Sequence, residues 1–371
     1  MKPTTPPTHA APGDVGRVVR VLRDGYWERT ELVEVADGSR RVRKSSKPDA
    51  HLGPWGVTAL RREIEYLSTL SEKARTAFPP VLAAWDDGVA ELPRVGYEMP
   101  FYSDHVDAGA LARTAALPQS EVDLFQASLA DVVLEGVHMP LPSGQLSEAF
   151  RTAALRPLSA HVVSVVEDAL RSLEADPTLV SLIRADSIGL NGAAHAGTRA
   201  AFARAAGDDA IAIALDREPQ RRLHGDLFLE NILWRRAEVV AGSTPRLVLI
   251  DPVSVAGVLH GPPLFDLVKY ESYATGELPA LRSEWVDIGG FDGGDDYRYG
   301  VRWQSAELAP FRQLDWHSRF RRAFEAKYGA VERRAYHLID GYFSLAMAVN
   351  TGGTQRRARL LKATSDFNAA T

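Results

Sequence analysis

Three oxygen-bearing side chains, Asp226, Asn231 and Asp251, lie in one segment (223–251) that could act on phosphate groups. Asp226 ends the triplet His224-Gly225-Asp226, and Asn231 follows five residues later, so a short loop could turn both side chains toward one point. Phosphoryl transfer needs a group that accepts or orients the proton of the acceptor hydroxyl, and hard oxygen ligands that hold Mg²⁺ against the phosphates. Asp226 suits the first task, and Asn231 and Asp251 suit the second.

Two short apolar runs follow this loop and predict a β-hairpin. The first is Ile232-Leu233-Trp234, the second is Leu247-Val248-Leu249-Ile250, and the turn-forming residues 242–245 lie between them. Such a hairpin returns the end of its second strand to the loop that precedes its first strand. Asp251 directly follows the second run, so we expect its carboxylate to lie beside Asp226 and Asn231.

The segment resembles the catalytic segment of the aminoglycoside phosphotransferase and choline kinase-like families, which are relatives of the protein kinases. Their HGDxxxxN motif matches His224-Gly225-Asp226 through Asn231, and their later aspartates match Asp251 and Asp266-Leu267. The resemblance implies that Asp226 is the catalytic residue and that Asn231 and Asp251 bind Mg²⁺. It also implies that His224 and Asp266 hold the loop in shape. A lone His-x-Asp would be an ordinary turn, but four matching features in register favour the kinase interpretation.

Departures from the protein-kinase pattern indicate a small-molecule enzyme. Gly225 stands where protein kinases have arginine, Pro252 follows Asp251 where they have Phe-Gly, and no APE segment is apparent. We therefore expect a kinase that moves a phosphoryl group from ATP or GTP to a hydroxyl of a small molecule, such as an antibiotic, a sugar or a natural-product metabolite. The choice of nucleotide and the identity of the acceptor stay open at this point.

The order of elements before the loop predicts the fold. Strand-like runs cover 18–22, 32–35 and 41–45, with Asp37-Gly38 as a hairpin signal, and a helix is predicted over 57–70. With the resemblance, this order implies an α+β, protein-kinase-like two-lobe fold, since 371 residues exceed the usual size of one core. The expected parts are a disordered leader at 1–14, a small β-rich N-lobe at 15–102, and a larger, mainly helical C-lobe at 103–371 that carries the catalytic loop and the acceptor site.

Lys44 and Glu63 are the predicted partners at the nucleotide phosphates. Lys44 lies on the third strand, where the resemblance places the lysine that contacts the α- and β-phosphates. Glu63 falls within the apolar stripe of the helix, and a carboxylate on a core-facing side needs a partner. Lys44 is the natural one, as in the lysine–glutamate pair of kinases. The alternatives are a solvated basic strand end for Lys44 and a boundary glutamate that reaches solvent for Glu63.

Met99 and Phe101 are the predicted apolar walls of the adenine site. The runs 79–82 and 95–99 fit strands four and five, and Pro100-Phe101-Tyr102 then leaves the sheet. By the resemblance this is the hinge, whose backbone groups would hydrogen-bond the adenine. A plain linker with core aromatics is the alternative. Gly25 in the first turn is equally compatible with a phosphate-covering loop and with an ordinary turn.

Composition excludes several other classes. The formal net charge is −5, whereas nucleic-acid binders carry an excess of basic residues. The chain has no cysteine, which excludes disulfides, thiolate metal sites and cysteine nucleophiles. No apolar run approaches the roughly 18 residues of a membrane span. We therefore expect a cytoplasmic protein whose partners are a nucleoside triphosphate and a small hydroxylated acceptor, with neither nucleic acid nor membrane.

Two rival functions and one unexplained segment remain. The chain could be a non-catalytic nucleotide-binding protein of kinase fold, or a metal-dependent phosphohydrolase that uses His224, Asp226 and Asp251. The glycine-rich segment 288–300 carries several aspartates and is expected to be a flexible acidic loop. It could clamp a cationic acceptor such as an aminoglycoside, or it could be a solvated surface loop.

Overall fold

The computed structural model describes residues 16–25, 27–47, 53–89, 92–114, 117–140, 157–216, 220–236, 247–252 and 260–371. The predicted leader and the predicted turn at 242–245 lie outside these residues.

A five-stranded antiparallel sheet forms the N-terminal lobe, with the strand order β1 (Arg17–Asp24), β2 (Glu28–Glu34), β3 (Arg40–Ser46), β5 (Leu92–Pro100) and β4 (Ala83–Val89), and helix α1 (Gly53–Ser68) follows β3 in the chain. Helix α1 packs on it through Leu60 and Leu67, which are buried as the predicted apolar stripe requires. The lobe also contains the short helix α2 (Glu72–Arg75).

The chain then enters a mainly helical C-terminal lobe. Strand β6 (Val106–Asp107) pairs with the later hairpin, and the helices α3 (Ala108–Thr114) and α4 (Gln119–Val132) follow. A π-helical turn (Val133–Val137) extends α4 directly, so the two form one continuous helical segment. The ring of Phe125 on α4 lies 4.9 Å from that of Trp234 and thereby packs α4 against the hairpin.

The remaining described elements complete this lobe. They are α5 (Leu158–Leu173), α6 (Val180–Arg184), β7 (Ile188–Leu190), β8 (Ala193–His195), α7 (Thr198–Ala206), α8 (Asp209–Asp216), β9 (Arg221–Arg222), β10 (Ile232–Trp234), β11 (Leu247–Leu249), β12 (His260–Gly261), α9 (Leu264–Ala274), α10 (Glu277–Arg282), β13 (Val286–Gly289), β14 (Asp296–Val301), α11 (Ala309–Gln313), α12 (Ser318–Tyr328), α13 (Arg333–Ala348) and α14 (Gly353–Ala369). None of the helices in the described ranges is long and apolar enough to span a membrane. The predicted α+β, two-lobe fold is confirmed.

The acidic segment 288–300 begins and ends in β-strands, which flank a loop at 290–295. Strands β13 and β14 pair in antiparallel register across it, and β14 joins β7 and β8 in a four-stranded sheet. Gly290 and Gly293 adopt positive φ angles of 97° and 99° between the two strands, which favours glycine there. Asp296 therefore lies on β14, whereas Asp292 and Asp295 are exposed in the connection 290–295 between the two strands.

Candidate active site

Asp266, at the start of α9, holds the loop that carries Asp226. Its carboxylate is fully buried and accepts the backbone N–H groups of His224 at 2.7 Å and Gly225 at 2.8 Å. The Nε2 atom of His138 lies 3.0 Å from the same carboxylate. Gly225 has a φ of 80°, a left-handed conformation that glycine adopts without strain. Together these contacts fix the backbone immediately before Asp226.

His224 points into the protein and supports the loop from within. Its Nδ1 accepts the backbone N–H of Asp226 at 3.2 Å, and its ring stacks on Phe78 with 5.8 Å between centroids. Burial lowers the pKa of His224 and outweighs the opposing effect of nearby aspartates, so the ring is neutral near pH 7. This geometry is that of a bracing residue, the role that the family resemblance implies.

Asp226 lines a cavity and is held between two hydrogen-bond donors. Lys269 on α9 places Nζ 3.0 Å from Oδ1, and the amide of Asn231 donates to Oδ2 at 3.1 Å and to the Asp226 carbonyl at 2.8 Å. Lys269 is buried, and its ammonium lies 4.1 Å from the ring centroid of Phe343 and 4.5 Å from that of Phe228. Burial lowers the pKa of Lys269 despite the attraction of Asp226. The Asp226 carboxylate therefore has a fixed orientation.

The hairpin delivers Asp251 beside this loop, as predicted. Strands β10 and β11 pair antiparallel, and the Ile250 N–H donates to the Asn231 carbonyl at 2.9 Å, so Asn231 and Asp251 lie at the same end of the hairpin. Asp251 itself has a φ of 52°, an uncommon angle for a residue other than glycine and a mark of many functional sites.

Lys44 connects the two lobes through Asp251. Its Nζ lies 2.8 Å and 3.0 Å from the two carboxylate oxygens of Glu63, and 3.0 Å from Oδ1 of Asp251. Tyr97, which pairs with Lys44 across the sheet, donates its hydroxyl to Glu63 at 2.8 Å. The predicted contact between Lys44 and Glu63 is present, and both residues are buried; neither is the solvated side chain of the alternative interpretations.

Charge compensation sets the ionisation of this cluster. Burial alone would lower the pKa of Lys44, but the carboxylates of Asp251, Glu63 and Glu28 outweigh it and raise that pKa. Burial raises the pKa of Asp251, yet Lys44 and Arg23 more than offset it, so the pKa of Asp251 is lowered. Lys44 is therefore a cation and Asp251 an anion across the physiological pH range.

Arg23 and Glu28 complete the cluster from strands β1 and β2, and sequence reasoning missed both. Arg23 Nη1 lies 3.3 Å from Oδ2 of Asp251, and its Nε lies 3.8 Å from Glu28. Glu28 is 3% exposed, its Oε2 has no hydrogen-bond partner, and burial raises its pKa. Both flank Gly25, whose N–H donates to the Glu28 carbonyl at 2.9 Å as in an ordinary turn. In the sequence, the only indication of their role is that they flank the turn at Gly25, between the first two strands.

One cavity joins these groups to the interior of the C-lobe. Its lining includes Lys44, Glu63 and Asp251 where the lobes meet, Asp226 and Lys269 beside the catalytic loop, and residues of the C-lobe helices α10, α13 and α14. Met99 and Phe101 are not among the lining residues, and Met99 is buried in the N-lobe core. Their place at the adenine ring therefore stays a prediction.

The donor set fits Mg²⁺ bound together with phosphates. Within the described ranges, no group of three or more His, Cys, Asp or Glu side chains could hold a metal ion by itself. Mg²⁺ needs no such cage, because it takes one or two carboxylates and fills its other positions with phosphate oxygens and water. Ionised Asp251 supplies that carboxylate, and the adjacent Asn231 offers an amide oxygen.

Several solved structures of kinases and phosphotransferases resemble the chain at low identity. A fructosamine-3-kinase candidate from Thermobifida fusca is 18% identical, covers 95% of this chain and 94% of its own, and gives a TM-score of 0.41. A macrolide 2'-phosphotransferase from Brachybacterium faecium is 14% identical over 93% and 90% of the two chains, with a TM-score of 0.44. A glucosamine kinase is 15% identical over 94% and 90%, with a TM-score of 0.39.

No protein-family model and no curated protein sequence matches the chain. Identities and TM-scores this low do not define a substrate for this chain.

Proposed function

We propose that this protein is a small-molecule kinase that transfers the γ-phosphoryl group of ATP or GTP to a hydroxyl group. The supporting observation is that Asp226 and the Lys44–Asp251 pair line the same cavity, so a hydroxyl base and a phosphate-binding cation face one space. A nucleotide would enter from the N-lobe, proposed as residues 15–102, and the acceptor from the C-lobe at 103–371. Because the donor nucleotide is cytoplasmic, we propose the cytoplasm as the place of action.

Asp226 is the proposed base of the transfer. The acceptor oxygen bonds to the γ-phosphorus, the bond from that phosphorus to the β,γ-bridging oxygen breaks, and ADP or GDP leaves with the electron pair. The hydroxyl proton goes to the Asp226 carboxylate and from there to solvent. Lys269 and Asn231 hold that carboxylate in one orientation, which favours the alignment that the step needs.

Lys44 and Arg23 are the proposed phosphate-binding cations. Glu63 holds Lys44 in place by two hydrogen bonds, and Tyr97 in turn holds Glu63. Arg23 reaches the same carboxylate as Lys44 from the first strand. Mg²⁺ held by Asp251 and Asn231 would neutralise charge that develops on the phosphate oxygens. Negative phosphates would then compete with Asp251 for both cations.

The rival hydrolase is disfavoured by the position of His224. This residue is fully buried, and its Nδ1 is engaged by the backbone of Asp226. A histidine that activates water or binds a metal needs a nitrogen that reaches the cavity, and His224 is not among the cavity-lining residues.

The test is release of ADP and GDP with Mg²⁺ and each nucleotide over a panel of hydroxylated antibiotics, sugars, nucleosides, amino alcohols and hydroxy acids. A kinase releases nucleoside diphosphate only when an acceptor is present, and the label of a γ-labelled nucleotide appears on that acceptor. Release of inorganic phosphate without acceptor would identify the hydrolase. Nucleotide binding without turnover on any acceptor would identify the non-catalytic protein.

A further inference from the structure

Arg359 on α14 is a buried cation that faces the cavity without a counter-ion. It is 3% exposed and lines the part of the cavity that lies within the C-lobe. Its Nε has no hydrogen-bond partner, and no carboxylate in the described part of the chain forms an ion pair with it. A buried charge without a counter-ion is unfavourable, so such groups usually have a partner.

The other cations in this part of the cavity are already paired. Lys269 is bound to Asp226, and Arg282 on α10 forms an ion pair with Glu230. Lys362, one turn after Arg359 on the same helix, contacts Asp340 at 2.8 Å and is further surrounded by two carboxylates, Asp366 at 2.9 Å and Glu277 at 3.0 Å. Among the cations that line this part of the cavity in the described ranges, Arg359 is the one without a carboxylate partner.

Arg282 places a second positive charge near Arg359. Its side chain lines the same cavity, and its guanidinium lies 5.2 Å from the ring centroid of Phe228. Burial, followed by repulsion from Arg282, lowers the pKa of Arg359 to about 10, so it stays charged at neutral pH. Two like charges that share a partly buried space become favourable when an anion lies between them.

We propose that Arg359, assisted by Arg282, binds a carboxylate or phosphate group of the acceptor, which is therefore an acidic hydroxy compound and not a polycation. A guanidinium presents a planar set of N–H donors that matches carboxylate and phosphate oxygens. The acceptor then spans the cavity with its anion at Arg359 and a hydroxyl at Asp226. This inference rests on the proposed kinase function, because only a kinase has an acceptor, but the anion site can be tested without turnover.

The binding test uses matched probes without nucleotide. Glycerol, glycerate and glycerol 3-phosphate share a skeleton but carry no charge, a carboxylate or a phosphate, and glucose, glucuronate and glucose 6-phosphate form a larger set. Calorimetric titration at constant ionic strength is expected to show at least one anion of a set binding 10-fold or more tightly than its neutral member. The better of the two anions identifies the group that the site prefers.

Variants assign that binding to Arg359. Arg359→Gln is expected to weaken the anion by about 10-fold to 100-fold, the range for loss of a charged hydrogen bond. Arg357→Gln is the matched control, because Arg357 lies on the same helix but packs over Phe291 and does not line the cavity. Lys44→Met identifies any anion that binds at Lys44 instead. Equal affinity in wild type and Arg359→Gln, or no preference for anions in wild type, would overturn the proposal.

Folding provides an independent readout. Because Arg359 has no carboxylate partner, Arg359→Met is expected to melt at the same temperature as wild type or higher, while it loses the anion. A marked fall in melting temperature would show a structural arginine and contradict the proposal.

Turnover separates this inference from the kinase proposal. Transfer only to neutral or cationic acceptors, unaffected by Arg359→Gln, would refute the anion site and keep the kinase. If Arg359→Gln loses anion binding and no acceptor is phosphorylated, the anion site is supported and the kinase proposal is refuted.

Discussion

Lys44 on β3 and Asp251 after β11 are joined by a hydrogen bond of 3.0 Å although 207 residues separate them in the chain. The contact unites the N-lobe sheet with the end of the C-lobe hairpin at the centre of the candidate site. The same lysine is held by Glu63, so its position does not depend on Asp251 alone. A nucleotide phosphate that takes the place of Asp251 at Lys44 would therefore find a cation already in place.

Lys44→Met is expected to abolish nucleotide binding and to destabilise the fold. Removal of the ammonium leaves Glu63 and Asp251 without their main counter-charge, and breaking a buried pair from one side typically costs about 3–5 kcal/mol. Denaturant titration measures this loss. In the double variant Lys44→Met, Glu63→Gln much of the stability is expected to return, but not the nucleotide binding. Lys73 is exposed, so the control variant Lys73→Met is expected to change neither the stability nor the nucleotide affinity. Tight nucleotide binding by Lys44→Met would show that Lys44 does not bind the phosphates.

Lys269→Met is expected to reduce kcat by about 10-fold to 100-fold and to leave the KM for nucleotide nearly unchanged. Methionine is similar in length and keeps the apolar contacts with Phe228 and Phe343, while the bond to Asp226 is lost. Steady-state kinetics with varied nucleotide and varied acceptor separates the two parameters. A variant with wild-type kcat would show that Lys269 only fills space beneath the loop.

Asp266→Asn is expected to lower both stability and kcat, although Asp266 does not line the cavity. An amide has only one acceptor oxygen, so either the His224 or the Gly225 N–H loses its bond and faces an NH₂ group. The expected loss is about 2–4 kcal/mol, from charged hydrogen bonds of about 1.5–3 kcal/mol and a donor left buried. Denaturant titration measures the loss of stability and steady-state kinetics on the same preparation measures kcat. The exposed variant Asp295→Asn is the control. Wild-type stability in Asp266→Asn would contradict the bracing role.

His260 is expected to make the protein less stable in mild acid. It pairs through the backbone with Arg222, just before the catalytic loop, and burial followed by repulsion from Arg222 lowers its pKa to about 3. Between the unfolded pKa near 6.5 and the folded value, the unfolded chain carries the proton and the folded chain does not. Stability therefore falls as pH falls, by about 1.4 kcal/mol per pH unit from this residue. The free energy of unfolding at pH 7 and pH 5 should change less in His260→Asn than in wild type; an equal change would exclude this contribution.

Part of the site followed from sequence because local patterns determine it. Glu63 could be paired with Lys44 because a carboxylate in an apolar helical stripe needs a cation, and Asp251 could be placed because a hairpin returns to its origin. The position of Lys269 in the sequence is a weaker indication of its role. Lys269 lies three residues after Asp266 on the same helix, so a helix face that holds the loop at Asp266 also presents Lys269 to it.

Other features depend on contacts that sequence spacing does not encode. Arg359 meets the cavity only because α14 packs beside α10 and α13, more than 100 residues after the catalytic loop. Strand β14 also pairs in parallel with β7, and a distant partner strand of this kind cannot be predicted from the glycines and aspartates of segment 288–300.

The most direct test of the central claim is phosphoryl transfer from γ-labelled nucleotide to the best acceptor by wild type and Asp226→Asn, with nucleotide affinity measured on the same preparations. If Asp226 is the base in a cavity where Lys44 and Asp251 hold the phosphates, Asp226→Asn lowers kcat by about 10²-fold to 10⁴-fold and still binds nucleotide within a few-fold of wild type. Transfer by Asp226→Asn within a few-fold of the wild-type rate would contradict the account.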